Sequence, residues 1–306
     1  MLQIKKITNQ NDLLDHIYIY NKNISCKIFH NLGASIQEFV VNGVSIIDGV
    51  TIDQIGIDEY FNTHKSSLLF PFPNRVKDGN YDFGGRNYQL KINETKKHNA
   101  IHGMLFDKHF KIVDRAVNAE EASVSLSYTS DGTLEGYPFK FVFIVKYTIK
   151  PEGALSVTFD IKNTDKIAFP FGIGWHPYFK SDNLEDCSLT FATKEHFIFN
   201  ERSIPDTIKI SEMPFTFSIN NHTYDDGFSL INASVIYKDS KYILAINFEN
   251  NIIPYLHIYT PDHRKNIAIE PMTCATDAFN NKHGLLELEP NRSFKWLIEM
   301  KITLSE

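Results

Sequence analysis

Four side chains carry chemistry that their local sequence does not explain as packing alone. Glu270 ends the alternating apolar run Ile267-Ala-Ile-Glu270 and abuts Pro271. It is either an edge charge or a proton-transferring carboxylate, and by itself it does not decide between them. His176 lies in Phe171-Gly-Ile-Gly-Trp-His-Pro-Tyr-Phe179. A lone histidine in such a run is ordinarily a hydrogen-bonded packing residue. Here Gly172 and Gly174 permit close backbone approach, and Trp175, Tyr178 and Phe179 offer faces that pack against ligand C–H surfaces or against a core. His102, in Asn99-Ala-Ile-His-Gly103, precedes a glycine in a loop, and Arg75 follows Pro71 and Pro73, whose rings fix the local backbone. An arginine on a stiff loop can give forked hydrogen bonds to ligand oxygens; the alternative is a surface arginine on a structural loop. Converging on one concave face, such groups would suit a polyhydroxylated small molecule, with a carboxylate and an imidazole available for proton transfer.

Other chemistries find less support. His98 and His102 have the i, i+4 spacing of a metalloprotease helix, but Asn99 stands where that motif needs glutamate and the surroundings are not helical. There is no phosphate loop, dinucleotide fingerprint or GxSxG turn. Cys26, Cys187 and Cys274 are far apart, odd in number and without a CxxC pair, which argues against a disulfide framework or a structural zinc and for a reducing cytosol. The net charge of -6 comes without a block of like charge, so no footprint for nucleic acid or an anionic membrane is visible. Residues 1–16 lack the apolar stretch of a signal peptide, and no apolar run of about 18 residues exists to cross a bilayer. The expectation is a cytoplasmic protein whose partner is a neutral or weakly charged small ligand.

The elements that must position these residues read as strands. Of 306 residues, 42% are apolar and 22% charged, the balance of a chain able to bury a full core. Ile24 to His30 and Ala34 to Ile47 are short apolar runs punctuated by Asn42-Gly43, a strong two-residue hairpin turn. Tyr81 to Leu90 repeats the pattern around Gly84-Gly85. Phe141 to Ile149 and Leu155 to Ile161 alternate apolar and polar residues around Pro151-Glu152-Gly153, which predicts an antiparallel pair with one buried face. Ser188 to Phe199, Ser234 to Asn247, Tyr255 to Tyr259 and Arg292 to Thr303 continue the texture, while Gln54 to Phe61 and Thr276 to Lys282 could each hold a short turn of helix. One all-β domain spanning residues 1–306 follows, a large antiparallel β-sandwich with a closed barrel as the alternative.

With those residues in hand, the chain resembles the aldose 1-epimerase (galactose mutarotase) family over most of its length. Asn74-Arg75-Val76, Gly79 and Gly85 to Leu90 are similar to its NRI…G…GxxYxL block. Asn99 to Gly103 with Phe106-Asp107-Lys108 is similar to its NxLHGG…FDK segment, and Glu135-Gly136-Tyr137-Pro138 to its EGYPG turn. His176-Pro177-Tyr178-Phe179 matches the HxYF motif of the catalytic histidine, Asp225-Asp226-Gly227-Phe228 looks like the DxxF of the sugar-binding aspartate, and Ile269-Glu270-Pro271 resembles the segment of the catalytic glutamate. Six such segments occur in the family's order.

The resemblance implies a galactose mutarotase-like supersandwich and a cofactor-independent isomerase that interconverts the anomers of a free aldose, with no metal. Carried over, Glu270, deprotonated near neutral pH, would take the O1 proton, and His176, protonated, would give one to O5. Arg75, His102 and Asp225 would orient the sugar, Asp225 being preferred to Asp226 by its spacing to Phe228. Met104 and Phe139 replace family glycines, and the chain looks closer to a bacterial branch of the family, which leaves the sugar open. Residues 272–280 are where substrate preference is expected. Hexose 6-phosphate mutarotation ranks second, since only Arg75 and Arg86 are obvious phosphate partners; a non-catalytic carbohydrate-binding module and a metal enzyme using His98, His102 and His176 are the other readings. A monomer or homodimer is expected.

Overall fold

The alternation along Leu155–Asn163 becomes a strand in a ladder of antiparallel neighbours, paired on one side with Lys140–Ile149 and on the other with Ser293–Leu304. The computed structural model describes residues 1–210, 216–249 and 252–305. Among these, 20 strands join in one continuous hydrogen-bonded sheet and three two-stranded ladders lie beside it. The architecture is all-β and antiparallel, as the period-2 pattern requires. Among the described residues no helix is long and apolar enough to cross a membrane.

Turn chemistry sets the local registers. Asn42 and Gly43 both take positive φ, 48° and 81°, between Ser35–Val41 and Val44–Asp48, and Gly84 and Gly85 do the same, at 56° and 72°, between Asn80–Phe83 and Arg86–Gln89. Both match the twist of a two-residue hairpin. The run Ser234 to Asn247 is not one strand. Asp239 accepts from the Lys241 amide at 2.9 Å through its carboxylate, and this turn separates Asp225–Lys238 from Tyr242–Phe248.

The strand Asp225–Lys238 links two parts of the sheet. Its residues 225–229 pair with Tyr255–Tyr259, whereas 234–238 pair with Tyr242–Phe248. Between Leu230 and Val235 its register against Ser188–Phe199 slips, and a bulge of this kind bends a strand. On one side of the bend, a ladder runs from Asp225–Ser229 through Tyr255–Tyr259 and Asn266–Met272 to Tyr178–Lys180. This ladder forms the floor of the site.

Aromatic packing supports the floor and its loops. Phe70 meets Phe141 at 5.0 Å and Phe143 at 5.1 Å between ring centroids, in the tilted and edge-on geometries that rings prefer. It therefore anchors the start of the loop that carries Arg75. The helix Gln54–Thr63 is capped by Asp53, whose carboxylate accepts from the Gly56 amide at 2.9 Å, and it ends at His64, with φ 52° and its amide on the Tyr60 carbonyl. The second helical turn, Ala278–Asn281, is shorter than the sequence suggested.

Candidate functional site

Antiparallel register explains why the floor is polar at one place. Residues directly opposite one another on neighbouring strands share a face, and Glu270 lies opposite His257. Two residues along, Tyr259 stands between Asp225 on one side and Ala268 on the other, and Ala268 pairs with Tyr178. Asp225, His257, Tyr259, Tyr178 and Glu270 thus project from three ladders onto one surface, which floors a cavity of about 700 Å³. All five residues singled out from the sequence, Arg75, His102, His176, Asp225 and Glu270, line it.

Glu270 is not an edge charge. Its strand continues through Pro271 to Met272 and every residue of it is buried, and the Glu270 side chain is only 1% exposed. Its Oε1 lies 3.5 Å from His176 Nε2, while Oε2 has no hydrogen-bond partner among the described residues. His176 bridges two short strands: its amide donates to the Ser67 carbonyl at 3.1 Å and its carbonyl accepts from the Ser66 amide at 2.8 Å. Its ring stacks on Tyr178 at 5.0 Å and meets His102 edge-on at 4.8 Å. Gly174 is required beside it, because a Cβ there would lie 2.9 Å from the Pro73 Cβ.

His102 and Arg75 come from two segments that pair with each other. Ala100 opposes Val76 and Ile101 opposes Arg75, and the His102 amide donates to the Asn74 carbonyl at 2.8 Å. His102 has φ 64° and Gly103 φ 70°, and a Cβ on Gly103 would collide with the Phe70 carbonyl. Gly103→Ala is accordingly expected to lower stability by about 2 kcal/mol and to weaken ligand binding by displacing His102, read by thermal melting and calorimetry. An unchanged melt would show that the loop relaxes freely. Arg75 is held by Glu94 through Nε (3.0 Å) and Nη2 (2.9 Å) and by Asn74 through Nη1 (3.1 Å). The guanidinium is fixed in orientation and its charge is matched.

Asp225 and Asp226 part ways. Asp225 lines the cavity and accepts from His257 Nε2 at 2.9 Å, whereas Asp226 pairs with His196 at 2.7 Å. Residues 272–280, where substrate preference was expected, do not line the cavity. They brace it from behind: the Asp277 amide donates to the Arg75 carbonyl at 2.7 Å, and its carboxylate accepts from the Lys77 amide at 2.9 Å. The mouth is shaped instead by Phe61 to Lys65, Asn93, Lys97, Pro261 and His263.

Burial dominates the electrostatics. It pushes Glu270 up to about 7, an effect that the nearby His257 and Arg75 moderate. It drives His176 down to about 3 and His64 down to about 4, and His102 well below its ordinary value. For His257 burial acts downward too, but the hydrogen bond it gives to Asp225 and the charges of Glu270 and Asp225 outweigh it, so this histidine alone in the cluster holds its proton more tightly than usual. Burial acts upward on Asp225, yet the His257 hydrogen bond and charge hold it well below the usual carboxylate range. Burial therefore favours the neutral forms of both His176 and Glu270, whereas the proton transfers expected from sequence start from their charged forms.

Donor atoms of His102, His176 and Glu270 lie within 4.8 Å of one another. Ligands about 2.1 Å from a tetrahedral ion are about 3.4 Å apart, a spacing that the Glu270–His176 pair already has at 3.5 Å while the set as a whole spans up to 4.8 Å. His98, in the metal alternative, is exposed and bonded to Asp78 outside the cavity. Among the cavity residues that sequence reasoning missed are Glu94 and His257. His257, in Tyr255-Leu-His-Ile-Tyr259, alternates like any strand residue, and only the pairing with Glu270 marks it.

The family model described as aldose 1-epimerase matches residues 15–301. The uncharacterized protein YihR of Escherichia coli K12 is 25% identical over 281 residues, covering 86% of each chain. Among solved structures, a galactose mutarotase-like protein of Clostridium acetobutylicum superposes with a TM-score of 0.87 at 20% identity, covering 100% of this chain and 99% of that one. The galactose 1-epimerase of Lactobacillus acidophilus gives a TM-score of 0.82 at 19% identity, with coverage of 100% and 99%. The structural likenesses establish the shared fold, and the match across residues 15–301 places this chain in the aldose 1-epimerase family.

Proposed function

We propose that this family member is a mutarotase: it interconverts the α and β anomers of a free aldose by acid–base ring opening. The observation that carries the reading is the buried Glu270–His176 pair, 3.5 Å apart on the floor of the cavity. O1 and O5 of a cyclic sugar are attached to the same carbon, so the group that removes a proton from one and the group that protonates the other must be neighbours.

Between about pH 3 and about pH 7 the pair holds a single proton, resting on Glu270 in the free protein. When the ring oxygen takes its hydrogen bond from the imidazole, that proton moves to His176. Glu270 then removes the O1 proton as His176 protonates O5; the C1–O5 bond breaks and C1–O1 becomes the carbonyl. Rotation about C1–C2 and the reverse proton transfers close the other anomer. The pair ends with the proton count it began with, and the two transfers need neither a metal nor an organic cofactor. Arg75, His102 and Asp225 orient the sugar hydroxyls. One chain supplies every group, so the reading requires no partner subunit.

A free aldose is favoured over a hexose 6-phosphate by how the cavity's cations are engaged. Arg75 is matched by Glu94, and Lys65 by Asp48 at 2.8 Å and Glu59 at 2.7 Å; Lys97, which also lines the cavity, donates to Ser203 Oγ at 2.6 Å and has no carboxylate partner among the described residues. Arg86, the other candidate, is exposed on a hairpin outside the cavity lining. Polarimetry on freshly dissolved α-anomers tests this: free hexoses or pentoses are expected to be accelerated with kcat/KM at least about ten-fold above their 6-phosphates, about 1.4 kcal/mol of discrimination. Preference for the phosphates would overturn the substrate class. Sugar binding without acceleration of any aldose would make the protein a carbohydrate-binding module.

A further inference from the structure

The proton relay leaves one buried histidine of the cavity without a task. His257, 3% exposed, donates Nε2 to Asp225 at 2.9 Å and stands directly opposite Glu270 in the ladder. Its Nδ1 has no partner among the described residues and faces the strand of Gly227. The charged and titratable groups facing it are Asp225 from the neighbouring strand on one side, Glu270 from the neighbouring strand on the other, and Arg75 with Glu94 from the loop side. The imidazoles of His176 and His102, the phenols of Tyr178 and Tyr259, and Lys97 complete the surroundings. Only Asp225 and Glu270 among these favour a cation on His257; Arg75 opposes one.

We propose that His257 is a positioning residue: an imidazolium fixed by Asp225 beside the general base, which holds the aspartate toward the sugar and supplies the positive charge that Glu270 works against. This rests on Glu270 being that base. The cation makes the carboxylate of Glu270 cheaper to form in a fully buried place, so it brings the general base into its charged form at lower pH than burial alone would allow. Asp225 is in turn kept ionised and pointed into the cavity. Without the cation the two carboxylates would raise one another's proton affinity.

His257→Gln retains an amide N–H for Asp225 and removes the charge. The high-pH limb of kcat/KM is expected to move upward by about one pH unit, the size expected of a neighbouring charge in a partly screened site, with KM changed less than about three-fold because Asp225 stays held. A purely structural histidine would lower activity without moving the limb, and an unmoved limb overturns the proposal. Two NMR titrations report without turnover. In glutamate-labelled protein the Glu270 carboxyl, identified by its loss in Glu270→Gln, is expected to titrate about one unit higher in His257→Gln than in the natural protein. In the natural protein, which needs no folded variant, the His257 ring is expected to titrate above the ordinary value of about 6.5; a ring neutral at about pH 6 overturns the proposal. If the carboxyl shift appears but the protein does not accelerate mutarotation, the charge assignment stands and the mutarotase reading falls. If Glu270→Gln abolishes activity while His257→Gln moves neither limb nor carboxyl, the positioning role alone falls.

Discussion

Glu270→Gln is expected to lower catalysed mutarotation by about 10³-fold while making the protein more stable at alkaline pH. The loss in rate follows from removing the only carboxylate within 4 Å of His176 among the described residues; sugar binding should persist, because Arg75, His102 and Asp225 are untouched. The stability gain follows from linkage. Glu270 binds its proton with an affinity near 7 when folded, against 4.5 as its ordinary value. Between those values the folded state holds a proton that the unfolded chain has released, so stability falls as pH rises through the window. Above about 7 the folded protein carries the full cost of a buried carboxylate, about 3 kcal/mol from about 2.5 units at about 1.4 kcal/mol each. Glutamine has no such titration. The variant should therefore melt at a higher temperature than the natural protein at about pH 8, with the difference vanishing near pH 4. Polarimetry and paired melting curves measure both halves. An unchanged rate would remove Glu270 from the chemistry, and a stability difference independent of pH would mean that its burial is not what raises its proton affinity.

His176→Asn is expected to cost a similar factor, about 10³ near pH 6, and to change the shape of the pH profile. In the natural protein, activity should fall above about 7 as the pair loses its single proton and below about 3 as His176 takes a second. Asparagine cannot titrate, so the residual activity should lack the acid limb. Both limbs persisting would show that His176 does not exchange a proton in the rate-determining step. Calorimetry on the same variant should find sugar affinity within about ten-fold of the natural protein, since the imidazole is one contact among several.

Much of this site was legible because motifs mark backbone geometry as well as chemistry. Gly103 after His102 and Gly174 before His176 stand where another strand or loop comes within contact distance, so the residues beside them were fixed in place by constraints visible in sequence. The hairpins at Asn42-Gly43 and Gly84-Gly85 were legible for the same reason. What was not legible depends on long-range register. Nothing in Tyr255 to Tyr259 announces that its histidine faces Glu270, and nothing in Glu94 announces a partner in Arg75. Residues 272–280 were expected to touch substrate because they adjoin Glu270, but strand direction carries them behind the cavity wall, where Asp277 supports the Arg75 segment. The proton affinities of Glu270 and His176 were not legible either, because they follow burial, which local sequence does not encode.

The bend in Asp225–Lys238 bears on how the protein loses its activity when it is heated. One end of that strand presents Asp225 to the cavity, and the other is zipped to Tyr242–Phe248, which itself pairs with the C-terminal strand Ser293–Leu304. The cavity floor is therefore stitched into the same cooperative unit as the opposite part of the sheet. Amides around Glu270 should exchange with solvent only when that whole unit opens, so warming removes the cavity floor in one step with the sheet that carries it.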